Sequence, residues 1–161
     1  MMSEDDCPID VQYAISSAGL PPADRIRQWA ELALGERRES TELAVRIVDE
    51  AEITALNFRY RGKDGPTNVL SFPYAPLPGV TTELLGDVVV CAPVVMAEAI
   101  AQDKPLESHW AHMVIHGVLH LLGYDHRAAA DADAMEHLET SLLHRLGFRD
   151  PYHSAQRADH P

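Results

Sequence analysis

Residues 116–126 read HGVLHLLGYDH, and this stretch predicts a helix that ends in a turn carrying metal ligands. His116 and His120 are four residues apart, so on an α-helix they lie about 40° apart around the axis and ~6 Å apart along it. Gly123 has no Cβ and favours the left-handed backbone conformation that ends a helix. The chain can therefore turn there and bring His126 back toward the first two histidines.

Three histidines at this spacing predict one zinc ion per chain. All-histidine ligands favour zinc over magnesium or calcium, although nickel, cobalt and iron stay open as alternatives. Three protein ligands leave one tetrahedral position free, which is the arrangement of catalytic rather than structural zinc sites. Imidazole binds a metal only when it is neutral, so occupancy should fall as the pH drops below the histidine range. The alternative is that the histidines only cap and solvate the end of a helix.

The other histidines do not have this ligand spacing. His112 lies one turn before His116 and two turns (~12 Å) before His120, so we expect it to pack beside a ligand rather than to bind the same ion. A surface position is expected for the remaining five, which are His109, His137, His144, His153 and His160.

Composition is typical of a soluble globular protein of 161 residues, with 46% hydrophobic and 24% charged residues. A net charge of −12 argues against indiscriminate binding of polyanions, but it leaves room for one basic cleft. Cys7 and Cys91 form no CxxC pattern, and the acidic N-terminus does not look like a secretory signal. We therefore expect a cytoplasmic protein without a membrane span.

The periodicity of apolar residues predicts an α+β fold, in which helices pack on a small mixed sheet. Alternating or branched apolar residues indicate strands, and residues 87–91 are apolar enough for an interior strand. Strands are expected over residues 9–15, 41–48, 68–74 and 85–91, and helices over 23–34, 51–60, 94–102, 106–122 and 131–146. We expect one domain over residues 1–161, with residues 154–161 as a disordered tail.

The histidine and glycine offsets also match those of metzincin proteases, HExxHxxGxxH followed by a methionine turn. Met135 follows His126 by nine residues, which adds to the similarity. The glutamate that serves as general base in those proteases would stand at position 117, where this chain has Gly117. The protease interpretation is therefore disfavoured, although a zinc-dependent hydrolase of another class stays open.

Four blocks of the sequence resemble the YbeY family of bacterial metal-dependent endoribonucleases. In family order they are LN at 56–57 with YRGKD at 60–64 and PTNVLSFP at 66–73, then LGDVVV at 85–90, HGVLHLLGYDH at 116–126 and MEHLE at 135–139. The resemblance covers residue 56 to about residue 152, and the first fifty or so residues are unspecific.

The resemblance implies one zinc ion held by His116, His120 and His126, with His116 acting in catalysis through the metal. It implies a single-strand-specific endoribonuclease that matures ribosomal RNA, including the small-subunit ends, and acts in ribosome quality control. Ribosomal proteins or a ribosome-associated GTPase are the implied partners. Arg61 is also implied, and a guanidinium can bind a scissile phosphate through two hydrogen bonds. The alternative for Arg61 is a solvated cation at a helix end.

The remaining chemistry has several candidates. Asp125 and Glu139 are candidates for the general base, and each could instead orient a metal ligand. Phe72, Tyr74 and Tyr124 are candidates for stacking an RNA base, although Phe72 fits a core position better. A ribosome-associated factor with a mainly structural zinc is a further interpretation, and the acidic net charge is compatible with it.

Overall fold

The computed structural model describes residues 8–37, 41–74, 78–79, 84–124 and 129–148. Within these ranges, four strands form one mixed sheet of order β1-β2-β4-β3, and five α-helices pack around it. The strands are β1 (Ile9–Tyr13), β2 (Glu42–Val48), β3 (Val69–Pro73) and β4 (Leu84–Cys91). The helices are α1 (Ala23–Leu34), α2 (Glu50–Arg61), α3 (Ala92–Ala101), α4 (Leu106–Leu121) and α5 (Ala129–Arg145).

The predicted α+β fold is confirmed, and the ends of the predicted elements differ from the observed ones by no more than two residues. Differences of this size are expected because helix and strand ends lack part of their backbone pairing. The tail predicted over residues 154–161 lies outside the described residues. Among the helices that the structure describes, none combines the length and the apolar sequence needed to cross a membrane.

The apolar strand β4 occupies an interior position in the sheet, as its sequence predicts. It runs parallel to β2 and antiparallel to β3, while β1 runs parallel to the other side of β2. Val88 of β4 lies opposite Val45 of β2 and opposite Ser71 of β3. The strand β3 is therefore an edge strand, paired on one side only within the described sheet.

The helix α4 is surrounded by the rest of the protein. Every residue from 109 to 121 is buried except His116 and His120, which are half-buried. The helix contacts β3 and β4 of the sheet, and it also contacts α1, α3 and α5. A helix that is apolar on all sides is stable only when other elements cover it. The histidines of α4 are thereby carried into the interior of the protein.

Gly117 allows α4 to approach the sheet closely. A Cβ atom at this position would lie 2.5 Å from Val88 Cγ1 and 3.2 Å from Val69 Cγ2, and both distances are below ordinary van der Waals contact. The Ser71 hydroxyl also donates a 2.8 Å hydrogen bond to the carbonyl oxygen of Gly117. A side chain at position 117, including the glutamate of a metzincin protease, therefore does not fit unless the helix moves away from the sheet.

Candidate metal centre and substrate cavity

His116 and His120 lie side by side at the C-terminal end of α4, with their Nε2 atoms 3.1 Å apart. Two nitrogens bound to one zinc at 2.0–2.1 Å with tetrahedral angles lie roughly 3.3 Å apart, so this pair fits a single ion. Gly123 has a φ of 107° where the helix ends, as predicted. His126 and Asp125 lie outside the described residues.

Glu139 of α5 contacts His116 from the side opposite to His120. Its Oε2 atom accepts a 2.7 Å hydrogen bond from His116 Nδ1 and lies 3.2 Å from His112 Nε2. Burial alone would raise the pKa of Glu139, but the hydrogen bonds from His112 and His116 outweigh burial and hold that pKa well below the usual carboxyl range. Glu139 is therefore an ionised hydrogen-bond acceptor inside the protein.

The ionised Glu139 determines which nitrogen of His116 can bind a metal. A carboxylate only accepts hydrogen bonds, so His116 carries its proton on Nδ1 and keeps the lone pair of a neutral ring on Nε2. This nitrogen is the one that lies 3.1 Å from His120. Carboxylates commonly orient metal-binding histidines in this way.

A second arrangement for a metal is possible by distance, because His112, His116 and Glu139 each offer a ligand atom within 4.8 Å of the others. This inner group shares His116 with the His116–His120 pair. It differs in access, because Glu139 is fully buried and His112 is buried, whereas His116 and His120 line a cavity.

The cavity beside the histidine pair has a volume of about 940 Å³. Arg61, at the end of α2, lines the same cavity as His116 and His120, and β3 supplies another wall. The lining residues are Tyr60, Arg61, Thr67, Asn68, Val69, Leu70, Ser71, Phe72, Pro73, His116, His120, Gly123 and Tyr124. Among the described residues of this lining, Arg61 alone has a side chain that is cationic at every physiological pH. The cavity can therefore attract an anion even though the whole chain is acidic.

Local interactions fix the helix end that carries Arg61. The Asp49 carboxylate caps α2 by accepting a 2.9 Å hydrogen bond from the Glu52 backbone N–H. Gly62 ends the helix in the left-handed conformation, with a φ of 65°. Asn57 then donates a 3.0 Å hydrogen bond from Nδ2 to the carbonyl oxygen of Gly65. The backbone on both sides of Arg61 is thus held by named contacts.

The surface position predicted for His109 is wrong. Its side chain is buried, and its Nε2 atom donates a 2.9 Å hydrogen bond to Glu98 Oε1. Burial lowers the pKa of His109, and the neighbouring Glu98 only partly opposes this. The error arises because other elements cover α4 around His109, so a polar side chain at this position must find a partner inside the protein. His137 and His144 are exposed as predicted, while His153 and His160 lie outside the described residues.

The aromatic residues near the cavity match the sequence-based expectation only in part. Phe72 is partly buried and packs against the small apolar cluster under α2, as expected for a core position, but it also lines the cavity. Tyr74 is exposed but does not belong to the cavity lining, whereas Tyr124 does. Sequence reasoning missed Tyr60, which also lines the cavity, although its place directly before Arg61 was an available signal.

The family model described as Endoribonuclease YbeY matches residues 18–147 of this chain. The chain belongs to the YbeY family. A solution structure of TM1509 from Thermotoga maritima is similar in fold, with a TM-score of 0.60 and 28% sequence identity over 84% of this chain and 86% of that one. The resemblance found in the four sequence blocks is thereby confirmed.

Membership of the YbeY family makes this chain a metal-dependent endoribonuclease with a role in ribosomal RNA maturation. Such an enzyme hydrolyses RNA phosphodiester bonds, so its site has to bind an anionic phosphate group close to a metal. In this YbeY-family chain, the cavity offers a histidine pair and an arginine within one lining. The chemistry that the family requires is thus available in a single place.

Proposed function

We propose that this chain cleaves single-stranded RNA, that its substrates are the ends of small-subunit ribosomal RNA, and that it serves ribosome quality control. Ribosomal proteins or a ribosome-associated GTPase are the proposed partners, and the cytoplasm is the proposed location. The observation that carries the proposal is that Arg61 and the pair His116 and His120 line one cavity of about 940 Å³. A cation and a metal-binding pair in one cavity suit a phosphodiester substrate.

One zinc ion per chain is part of the proposal, with His116, His120 and His126 as its ligands. The 3.1 Å separation of the His116 and His120 Nε2 atoms suits one ion, and the sequence spacing supports His126 as the third ligand. We prefer this set to the inner group around Glu139 because the pair faces the cavity, where a substrate can enter. When bound, zinc supplies the Lewis acidity that polarises a phosphoryl oxygen.

The protein side chains have separate roles in this proposal. Arg61 binds the scissile phosphate through its guanidinium fork and offsets the negative charge that grows in the transition state. Glu139 is a positioning residue, because it is fully buried, holds the His116 Nδ1 proton, and is not part of the cavity lining. Asp125 is the remaining candidate for the general base that takes a proton from the attacking oxygen.

The test compares the zinc-loaded protein with its Arg61→Ala variant on single-stranded and duplex RNA carrying the small-subunit 3′ end. Removing a preorganised donor to a developing charge lowers kcat by about 10²- to 10³-fold, and we expect a loss of this size for single-stranded RNA. Lys63→Ala is the matched control, because Lys63 is an exposed cation two residues away that lies outside the cavity lining. This control should cleave at the wild-type rate.

Two results would contradict the proposal. Equal rates of cleavage of duplex and single-stranded RNA would show that the protein is not specific for single strands. Full activity of Arg61→Ala, together with unfolding when the metal is removed, would instead indicate a mainly structural zinc in a ribosome-associated factor.

A further inference from the structure

Tyr60 is an exposed aromatic residue in the wall of the cavity. Its side chain is 58% exposed, and it lies directly before Arg61 at the C-terminal end of α2. Both residues belong to the cavity lining. Large aromatic side chains are usually covered, so an exposed ring beside a phosphate-binding cation is a candidate contact for a ligand.

The Tyr60 ring is held in place although it is exposed. The ring of Phe72, from β3, packs against it edge to face, with a distance of 5.3 Å between the ring centroids. The guanidinium carbon of Arg59 lies 5.4 Å from the Tyr60 centroid. The Phe72 contact connects α2 with β3, and both contacts reduce the rotamer entropy that the ring would lose on binding a ligand.

We propose that Tyr60 stacks one unpaired nucleobase of the RNA substrate while Arg61 binds a neighbouring phosphate. The inference rests on the proposed cleavage of single-stranded RNA and names the side chain that recognises the single strand. Every nucleobase has an aromatic face, so one exposed ring can bind a base without selecting its identity. Because the ring and the cation line one cavity, they can contact a base and a neighbouring phosphate of the same strand.

This role makes Tyr60 a specificity-determining residue. In a duplex, each base is already stacked between its neighbours and paired, so it cannot lie against a protein ring without leaving the helix. In a single strand the same contact costs less free energy, because the bases are already unpaired. Tyr60 should therefore favour single-stranded over double-stranded substrates, whereas Arg61 contacts a phosphate that both substrates carry.

Phe58 provides a matched control on the same helix. Its side chain is 62% exposed, which is similar to that of Tyr60, but it does not belong to the cavity lining. A general effect of losing an exposed aromatic residue from α2 should appear at both positions. An effect of base stacking should appear only at Tyr60.

A binding experiment tests the contact directly with Tyr60→Trp in the zinc-loaded protein. The chain has two tryptophans, Trp29 and Trp110, and both are only 1% exposed, so an added surface tryptophan dominates the response to a ligand. Titration with a 2′-O-methyl hexanucleotide should quench this fluorescence, while Phe58→Trp should show no change. Equal responses of the two variants, or no response of Tyr60→Trp to the bound hexanucleotide, would overturn the inference.

A kinetic experiment measures the contribution to substrate binding. For single-stranded RNA, Tyr60→Ala should raise KM by about 5- to 150-fold with little change in kcat, because a stacked base is bound in both the ground state and the transition state. Tyr60→Phe keeps a ring and should restore the wild-type KM, and Phe58→Ala should not change it. An unchanged KM for Tyr60→Ala would contradict the stacking role.

Substrates with a single abasic position locate the stacked nucleotide. At one abasic position, the wild-type protein should bind the substrate as weakly as Tyr60→Ala binds intact RNA. The same abasic substrate should not weaken binding by Tyr60→Ala any further. Additive losses at every position would overturn the inference. Failure of the wild-type protein to cleave any RNA would contradict the proposed function instead, so the two failures are distinguishable. Loss of binding to a ribosomal protein in Tyr60→Ala, with unchanged KM for RNA, would assign the ring to a protein partner.

Discussion

Two histidines of α4 each form a hydrogen bond with a glutamate from a neighbouring helix, yet the second ring nitrogens of the two histidines have different surroundings. His109 Nε2 lies 2.9 Å from Glu98 of α3, and His116 Nδ1 lies 2.7 Å from Glu139 of α5. The second nitrogen of His109 is buried and has no hydrogen-bond partner among the described residues. The second nitrogen of His116 lies beside His120, and both of these side chains line the cavity.

The difference shows that a histidine–glutamate pair does not by itself indicate a metal site. The two histidines differ in the position of the second ring nitrogen, the one that is not bonded to the glutamate. In His109 this nitrogen is buried, and in His116 it lies beside His120. Glu98 also accepts a 3.1 Å hydrogen bond from Asn68 Nδ2, so the pair that it forms with His109 connects α3, α4 and the start of β3. We therefore interpret the His109 pair as structural and the His116 pair as part of the metal centre.

The largest effect is expected when substitution of His116 is compared with substitution of His109. His116→Gln should lose the bound metal and lower RNA cleavage on the order of 10³-fold or more, because the substitution removes the nitrogen that faces His120. His109→Gln should retain both metal and activity, since an amide can still donate to Glu98. Metal content per chain and cleavage rate are the two measurements. If His116→Gln retained the metal, or if His109→Gln lost it, the proposed difference between a metal-binding His116 and a structural His109 would be wrong.

A smaller effect is expected for the two glutamates. Glu139→Gln should weaken zinc binding by about 10- to 100-fold, because a neutral amide holds His116 less firmly than a carboxylate does. Glu98→Gln is the matched control and should bind zinc with wild-type affinity. Competition with a chelator measures both affinities. Equal weakening in the two variants would mean that Glu139 acts through general stability rather than through His116.

The smallest effect concerns the pH dependence of stability. Burial lowers the pKa of His109 in the folded protein below its ordinary value of 6.5, so the unfolded chain binds the proton more readily. The free energy of unfolding should therefore fall as the pH decreases below about 6.5, and it should lose no more once the pH is below the folded-state pKa. Above that range, both states are neutral at His109 and this contribution is constant.

The measurement is urea unfolding of wild type and His109→Gln between pH 5 and pH 8, with a chelator present to remove the contribution of bound metal. The difference between the two proteins isolates His109 from the other titrating groups. We expect wild type to lose more stability toward low pH than the variant does. Parallel pH profiles would show that His109 does not carry this dependence.

Sequence reasoning worked best where a single element determines the result. The separation of His116 and His120 follows from helix geometry alone, and the left-handed Gly123 follows from local backbone preference. It failed for His109 because burial depends on which other elements cover α4, and a short-range pattern does not contain that information. The hydrogen bond between Glu139 and His116 likewise depends on the packing of α5 against α4, since the two residues are 23 positions apart in the sequence.

The same contrast applies to Gly117 and Arg61. The sequence indicates that the protease glutamate is missing at position 117, but the reason lies in a contact with Val88 of the sheet. The basic residues around Arg61 are visible in the sequence, but a solvated helix end was an equally physical interpretation. The arrangement of α2, β3 and α4 around one cavity supports the phosphate-binding role that we propose for Arg61, and a short-range sequence pattern does not contain this arrangement.

The hydrogen bond from Ser71 to the Gly117 carbonyl has a mechanical consequence. It joins the edge strand β3 to the helix α4 that carries the histidine pair, so two walls of the cavity are connected directly. The helix α2, which carries Arg61 and Tyr60, reaches the same strand through the Phe72 ring and through Ile53, which is buried in one apolar cluster with Leu70 of β3. All three walls of the cavity are therefore tied to β3, so a displacement of this strand affects Arg61, Tyr60 and the histidine pair together.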